Sequence, residues 1–393
     1  MTDPSPVDQT KPANPPSLLA LATYFLRLGA LGFGGPAVLT ARMRQDLVDE
    51  RGWITPSEFE NGIALSQLAP GPLAAQLAIF LGWVRYGVLG STVVGVAFIL
   101  PSFFIVLGLS ALYVRYSGLA WIQGAFYGIG ATVIAIMTLG VYKLLKRTIG
   151  NDRFYWVVAV TSAAATAITE TENAFLFLGA GILALLVKTL PAAKAQRLSA
   201  FVPAWVLMGT GTAVDLEKVW SVFIFFVKSG AFVFGSGLAI VPFLHGGVVQ
   251  EQHWLTERQF IDAVAVAMIT PGPVVITVAF IGFLVAGVAG SVAASLGVFL
   301  PCYLIVVITA PYFQKYSAIP RIKAFIGGVT ASAVGAIAGA AFVLGRRAVM
   351  DIPTACMFIL SLVLLLKVKK LPEPLLILGA AIVGLLLHSQ VTS

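Results

Sequence analysis

Two Pro-Gly-Pro triplets, Pro70-Gly71-Pro72 and Pro271-Gly272-Pro273, carry the clearest chemical signal in this chain. Proline has no N–H to donate and clashes with the preceding turn, so the first proline of each triplet ends a helix. The glycine permits a reversal, and the second proline is pre-set to begin a new helix. A helix that starts there leaves its first amides without partners inside the helix, and with the helix dipole these favour an anion. Each triplet follows a glycine turn at the same distance, Phe33-Gly34-Gly35 in one case and Phe234-Gly235-Ser236 in the other. Each glycine turn follows a cation inside an apolar stretch, Arg27 or Lys228. Glycines let a backbone approach a ligand closely, and a cation within a membrane segment needs a partner or a function. Gln67 adds a side-chain amide near the first triplet. The same residues also admit a plainer reading: kinks, close-packing points, and cations that snorkel to the interface.

Groups able to carry a proton are few. Asp262 precedes the second triplet, and the equivalent residue of the first is Asn61. A carboxylate on one side and an amide on the other suits an asymmetric coupling site, although Asp262 near a helix start would also serve as a cap. His245, Glu58 and Glu60 are weaker candidates. No GxxxxGK[ST] is present, so the chain does not itself consume ATP. With three histidines, no HExxH and no metal-ligand spacing, it reads as neither a hydrolase nor a metalloenzyme. An intramembrane enzyme would need paired acids or histidines at helical spacing within its spans, and there are none. No cofactor is expected.

These motifs sit in a duplicated chain. Residues 25–73 and 226–274 superpose without a gap at an offset of 201, sharing Phe25/Phe226, Gly29/Gly230, Trp53/Trp254, Thr55/Thr256 and Phe59/Phe260. The match resumes one residue out of step at Gly87/Gly287 and Leu100-Pro101/Leu300-Pro301. The repeat is far too long for a solenoid unit. Hydrophobic residues make up 59% and charged residues 11% of the sequence, against about 25% charge in a soluble domain. Apolar runs at 88–112, 119–142, 154–168, 173–187, 218–243, 286–311, 324–345, 354–366 and 374–387 approach or reach membrane-crossing length. The fold class is therefore an all-α polytopic membrane protein of two homologous halves, a first repeat at 18–198, a linker at 199–217 and a second repeat at 218–390. Residues 1–17, rich in proline and lacking a basic n-region, read as a disordered tail. The net charge of +8 reports loop orientation before it suggests nucleic acid. Cys302 and Cys356 lie alone in apolar segments, which argues against a disulfide or a metal pair.

The first span is expected from about Leu18 to Leu39, followed by an interfacial helix ending near Gly52 and anchored by Trp53. Thr55, Pro56 and Glu58 form an N-cap, a first helical position and a capping box. The segment 58–83 then either crosses as a broken helix or dips in and returns. Charge counting weighs these options. If both triplet segments are re-entrant and the first span crosses inwards, 18 Lys and Arg are cytoplasmic and five (Lys11, Arg115, Arg258, Arg346, Arg347) are outside. If both cross, the count is 11 against 12; adding a span at 199–214 gives 16 against 7. The first arrangement is preferred, with about five spans and one re-entrant hairpin per half and 13 crossings as the alternative. An odd number of spans per half turns the second half upside down, as in transporters that bind substrate at the midplane between inverted repeats. Gly124/Gly128 and Gly335/Gly339 read as helix-packing pairs.

The stretches FLRLGALGFGGPA (25–37), RGWIT (51–55) and ALSQLAPGPLAAQLAIFLGW (64–83), with FVFGSG and TPGP in the second half, resemble the chromate ion transporter family in its long, two-halved form. The resemblance implies efflux of chromate from the cytoplasm, driven by the proton-motive force, across a bacterial inner membrane. Sulfate is the implied look-alike ligand. It carries over Arg27, Gly34, Gly35, Pro70, Gly71 and Pro72, with Lys228, Gly235, Pro271, Gly272 and Pro273 in the second half. The second half departs at Ser236-Gly237, where the first has Gly35-Pro36, and at Lys228. Expected partners are chromate or sulfate, protons and the lipid bilayer, without nucleic acid; a homodimer is left open.

Overall fold

The computed structural model describes residues 15–33, 35–116, 120–169, 174–189, 216–232, 244–313, 320–349, 351–368 and 373–391. Among them every regular element is helical. The first half comprises α1 (Leu18–Leu31), α2 (Gly35–Arg44, continued by a π-helical turn Gln45–Glu50), α3 (Pro56–Leu68), α4 (Leu73–Tyr116), α5 (Ala120–Ile149), α6 (Arg153–Thr169) and α7 (Ala174–Thr189). The second half comprises α8 (Leu216–Phe232), a π-helical turn Gly246–Glu251, α9 (Glu257–Ile269), a 3-10 turn Val274–Ile276, α10 (Thr277–Thr309), α11 (Pro320–Ala348), α12 (Ile352–Lys367) and α13 (Glu373–Val391). Thr55 caps α3 with Pro56 in the first turn and Glu58 closing the capping box, as the sequence predicts, and Thr256 with Gln259 does the same for α9.

Each Pro-Gly-Pro segment is a hairpin. Gly62 of α3 lies against Leu77 and Phe80 of α4, so residues equally distant from the triplet on either side touch. In a broken helix passing straight through they would be more than 20 Å apart at 1.5 Å per residue. Inside α4 the chain reverses again at Tyr86 and Gly87, the latter at φ 58, which packs Gly82 against Gly90 and lets Ser91 donate to the Ile79 carbonyl. Gly287 at φ 60 repeats this reversal in α10. The arm 88–116 then rises roughly 43 Å, enough to cross a bilayer with a hydrocarbon core of about 30 Å.

The structure differs from the expected first span. α1 ends at Leu31, and α2 starts at Gly35 and folds back, because glycine and Pro36 interrupt the helix where the sequence reading carried it on to Leu39. Two contacts fix the reversal. The Tyr86 hydroxyl donates to the Pro16 carbonyl at 2.6 Å, at the start of α1. Arg85 binds the Trp53 carbonyl and Glu58, at the start of α3. Both ends of 18–55 are therefore on one face, which also carries the start of the 88–116 arm. The first half's glycine turn is thus the tip of a second re-entrant hairpin, and among the described residues that half has four helices placed to cross, the 88–116 arm, α5, α6 and α7, where five were expected. Arg42, Arg44, Arg51, Arg85, Lys143, Lys146, Arg153 and Lys188 lie on this face, while Arg115, Lys218, Arg258 and Arg346 lie on the opposite one. The positive-inside rule assigns the more basic face to the cytoplasm, and α1 starts at that face, whereas the sequence reading had the first span enter from outside.

The second half enters from the other face. Tyr113, near the far end of the 88–116 arm, hydrogen-bonds Asp262, midway along α9. Hence α3 and α9 begin at opposite ends of one membrane-spanning arm. The long helices agree. Tyr127 near the start of α5 bonds Asp351, just past the end of α11, and Gly345 of α11 lies against Ile134, so these two equivalent helices run antiparallel. α7 ends beside Asp152, with which Lys188 pairs, and Phe225 in the middle of α8 packs on Trp254. All of the expected linker but its last two residues falls outside the described residues.

The halves clasp each other through small residues. Gly335 and Gly339 of α11 rest on the backbone at Ala159 and Ala163 of α6, and Gly128 of α5 meets Ala380 and Gly384 of α13. Small residues allow backbones to approach closely where lipid offers no hydrophobic drive for helix association. Ser162–Ser332 at 2.8 Å lies in the α6–α11 seam, and the equivalent hydroxyl pair Thr132–Ser361 at 2.9 Å joins α5 to α12. In a Cys356→Ser background, where the remaining Cys302 is buried, Asp49→Cys is expected to label only from the cytoplasmic side and Gln252→Cys only from outside. Labelling of both from one side would overturn the opposed entry of the hairpins.

Candidate functional site

The two Pro-Gly-Pro turns meet. Pro72, Leu73 and Ala74 of the first and Gly272, Pro273 and Val274 of the second line one space together with Pro36 and Leu39. Gly272 donates its N–H to the Gly32 carbonyl at 2.7 Å, so the second turn is tied to the tip of the first half's glycine hairpin. Ser102, midway along the 88–116 arm, donates to the Gly29 carbonyl at 3.1 Å. A Cβ on Gly272 would strike the Ser102 hydroxyl. The first turn mirrors this: Gly71 lies against Cys302, the residue equivalent to Ser102. Gly71 and Gly272 have φ of 138° and 93°, values that L side chains rarely adopt, which is why the sequence needs glycine there. The space between the turns is about 10 Å³, the room of one water molecule. A tetrahedral oxyanion enters only if the turns part.

The predicted residues are not all brought to this space. Pro72, Gly272 and Pro273 line the shared space, with Gly71 buried beside it; Pro70 accepts at its carbonyl from the Gln76 amide at 2.6 Å. Arg27 and Lys228 lie on the exposed faces of α1 and α8, and among the described residues neither makes a hydrogen bond or an ion pair. Gln67 is exposed and Asn61 half-buried, and neither reaches the space between the turns. Pro271 is buried in the second turn, Gly34, Gly235 and Ser236 lie outside the described residues, and Gly35 opens α2. Asp262 is 4% exposed and accepts from the Tyr113 hydroxyl at 2.7 Å. His245 is buried, with its Nε2 at 2.6 Å from Glu257 and its ring edge-on to Phe260.

The chromate transporter family model matches residues 19–185 and 220–385, one match per half. The chain belongs to the chromate transporter family. It is 52% identical over 396 residues to the chromate transport protein of Cupriavidus metallidurans, covering 99% of both chains. It is 52% identical over 382 residues to the probable chromate transport protein of Synechococcus elongatus, covering 95% of this chain and 96% of that one. The chromate transport protein of Pseudomonas aeruginosa is 31% identical over 362 residues, covering 88% of this chain and 86% of its own. No solved structure matches. The protein is thus a multi-pass membrane protein of this family, and its two matched regions are the two halves that face each other across the turns.

Sequence reasoning missed four residues of this transporter that the fold brings into play. Ser102 and Cys302 directly follow the matched Leu-Pro pairs, and that position was the available signal. Gln76 is fully buried in the first turn of α4; its Nε2 is engaged by Pro70, and its Oε1 has no partner among the described residues. Tyr113 carries no sequence signal, since only the approach of α9 from the other half gives it a partner.

Proposed function

We propose that this chain is a secondary transporter that exports chromate from the cytoplasm, coupled to the proton-motive force across a bacterial inner membrane. The observation that carries the reading is the convergence of two Pro-Gly-Pro turns, entering from opposite faces, at the middle of the 88–116 arm. The start of α4 and the turn preceding α10 would offer backbone amides to a tetrahedral oxyanion. In the closed arrangement the Gly272 N–H is occupied by the Gly32 carbonyl. An oxyanion arriving between the turns would compete for that donor, so binding and separation of the two tips are one event. Rocking of one half on the other would then open the site to either face in turn. Arg27 and Lys228 supply charge along the approaches from the two faces. Asp262 carries the coupled proton, with His245 as a second titratable group at the same end; the equivalent position in the first half is the amide Asn61.

A general sulfate or oxyanion transporter is the second reading, because sulfate has the charge and tetrahedral shape of chromate. Flux of chromate and of sulfate into proteoliposomes under an imposed pH gradient separates the possibilities. Chromate movement that rises with the gradient and is only weakly inhibited by sulfate is expected. Equal movement of the two anions would replace chromate by oxyanions in general, and flux indifferent to the gradient would end the proton coupling.

A further inference from the structure

Resting on that transport reading, we infer that Tyr113 is the positioning residue of the proton site, and that its bond to Asp262 is the outer latch between the halves. The geometry has three parts. Ser102 and Tyr113 are eleven residues apart on one helical arm, close to three full turns, so they share a stripe of α4. Both ends of that stripe touch the second half's hairpin: Ser102 at its tip, Gly272, and Tyr113 on its entering arm at Asp262. The Tyr113 ring is held edge-on between Phe126 and Phe280, at centroid distances of 5.8 and 5.1 Å, which aims its hydroxyl at the carboxylate. The equivalent positions in the other half are Phe313 and Asn61, which can neither carry a proton nor form a charged hydrogen bond. The latch therefore exists at the outer end alone.

The other charged group acting on Asp262 is Arg258, one turn earlier on α9. α5, α10 and α13, which also pack against α9, bring no titratable group to it among the described residues. A phenol O–H donated to an ionised carboxylate is about twice as strong as the same bond between neutral groups. Protonation of Asp262 from the outer face thus weakens the tie between the α4 arm and the hairpin and lets the hairpin leave Ser102. A proton arriving outside is thereby converted into separation of the turns on the outer side.

The test is chromate flux in proteoliposomes as a function of pH on the outer face, for the wild type, Tyr113→Phe, Asp262→Asn and the double variant. Without the donated hydroxyl, Asp262 keeps its proton to higher pH. The midpoint of Tyr113→Phe is expected to move up by about one pH unit, the effect of one hydrogen bond to a charged group. Asp262→Asn should flatten the profile, and the double variant should match Asp262→Asn. Infrared titration of the Asp262 carboxyl band, assigned by its loss in Asp262→Asn, reads the same shift without transport. Superimposable profiles for Tyr113→Phe and the wild type, identical carboxyl titrations, or a double variant with additive effects would each overturn the latch. A wild type that moves no chromate at all would instead strike the transport reading.

Discussion

Replacing Gly272 with alanine is expected to cut chromate export by roughly tenfold or more, and Gly71→Ala to do less harm. Two effects add at Gly272. Its φ of 93° lies where an L residue is disfavoured by about 1–2 kcal/mol. Its new Cβ would also strike the Ser102 hydroxyl and crowd the Gly29 carbonyl, so the turn must retreat from the tip it is bonded to. Each 1.4 kcal/mol of such displacement is a factor of ten in the population of the closed state. At Gly71 the strained φ is present too, but the nearest atoms belong to the Gln76 amide, which can move, and to the smaller obstacle of the Cys302 sulfur. The comparison has an internal control. Ser102→Gly removes the struck hydroxyl, and Gly272→Ala with Ser102→Gly should recover part of the lost export, measured as chromate efflux from loaded cells at matched membrane levels. No recovery would mean that the contact between the turn and the mid-arm serine does not set the effect.

The turns, the duplication and the helix caps were legible in the sequence because each is written by local chemistry. Proline ends a helix wherever it stands, Thr55 and Glu58 need only each other, and Gly124, Gly128, Gly335 and Gly339 announce close packing by having no side chain. The path of the first span was not legible. Residues 18–39 are apolar apart from Arg27, and composition alone cannot separate one helix that crosses from two that fold back; the two are told apart by Tyr86 reaching Pro16 and Arg85 reaching Trp53, each a contact across dozens of residues. The pairing of Asp262 with Tyr113 and of Gly71 with Cys302 was hidden for the same reason. Each joins one half to the other, and a repeat read in alignment compares equivalent residues rather than touching ones.

Arg27→Ala is expected to abolish chromate resistance while leaving the protein in the membrane at its normal level. The second clause follows from the structure. Arg27 is exposed on α1 and bonded to nothing among the described residues, and the buried face of that helix is built instead by Leu21, Phe25 and Leu28 against the arm at Phe98. Removing the guanidinium costs the fold little packing. The first clause follows from its depth. Arg27 lies in the last turns of a half-length helix whose tip reaches the Gly272 turn, about 14 Å along α1 from that helix's start. A charge there costs at least about 2.5 kcal/mol unless something compensates it. In the proposed cycle the compensating charge is the oxyanion passing to the turns from the cytoplasmic face. Arg27→Lys keeps the charge but loses the planar fork that grips two oxygens at once, so it should retain partial export with weakened apparent affinity. Lys228, at the equivalent depth from the outer face, already carries that simpler cation, which suits release better than capture. Resistance assays of Arg27→Ala, Arg27→Lys and Lys228→Arg, normalised to membrane protein, test the assignment. Undiminished export by Arg27→Ala would return the cation to a snorkelling role and leave anion recognition to the backbone of the two turns.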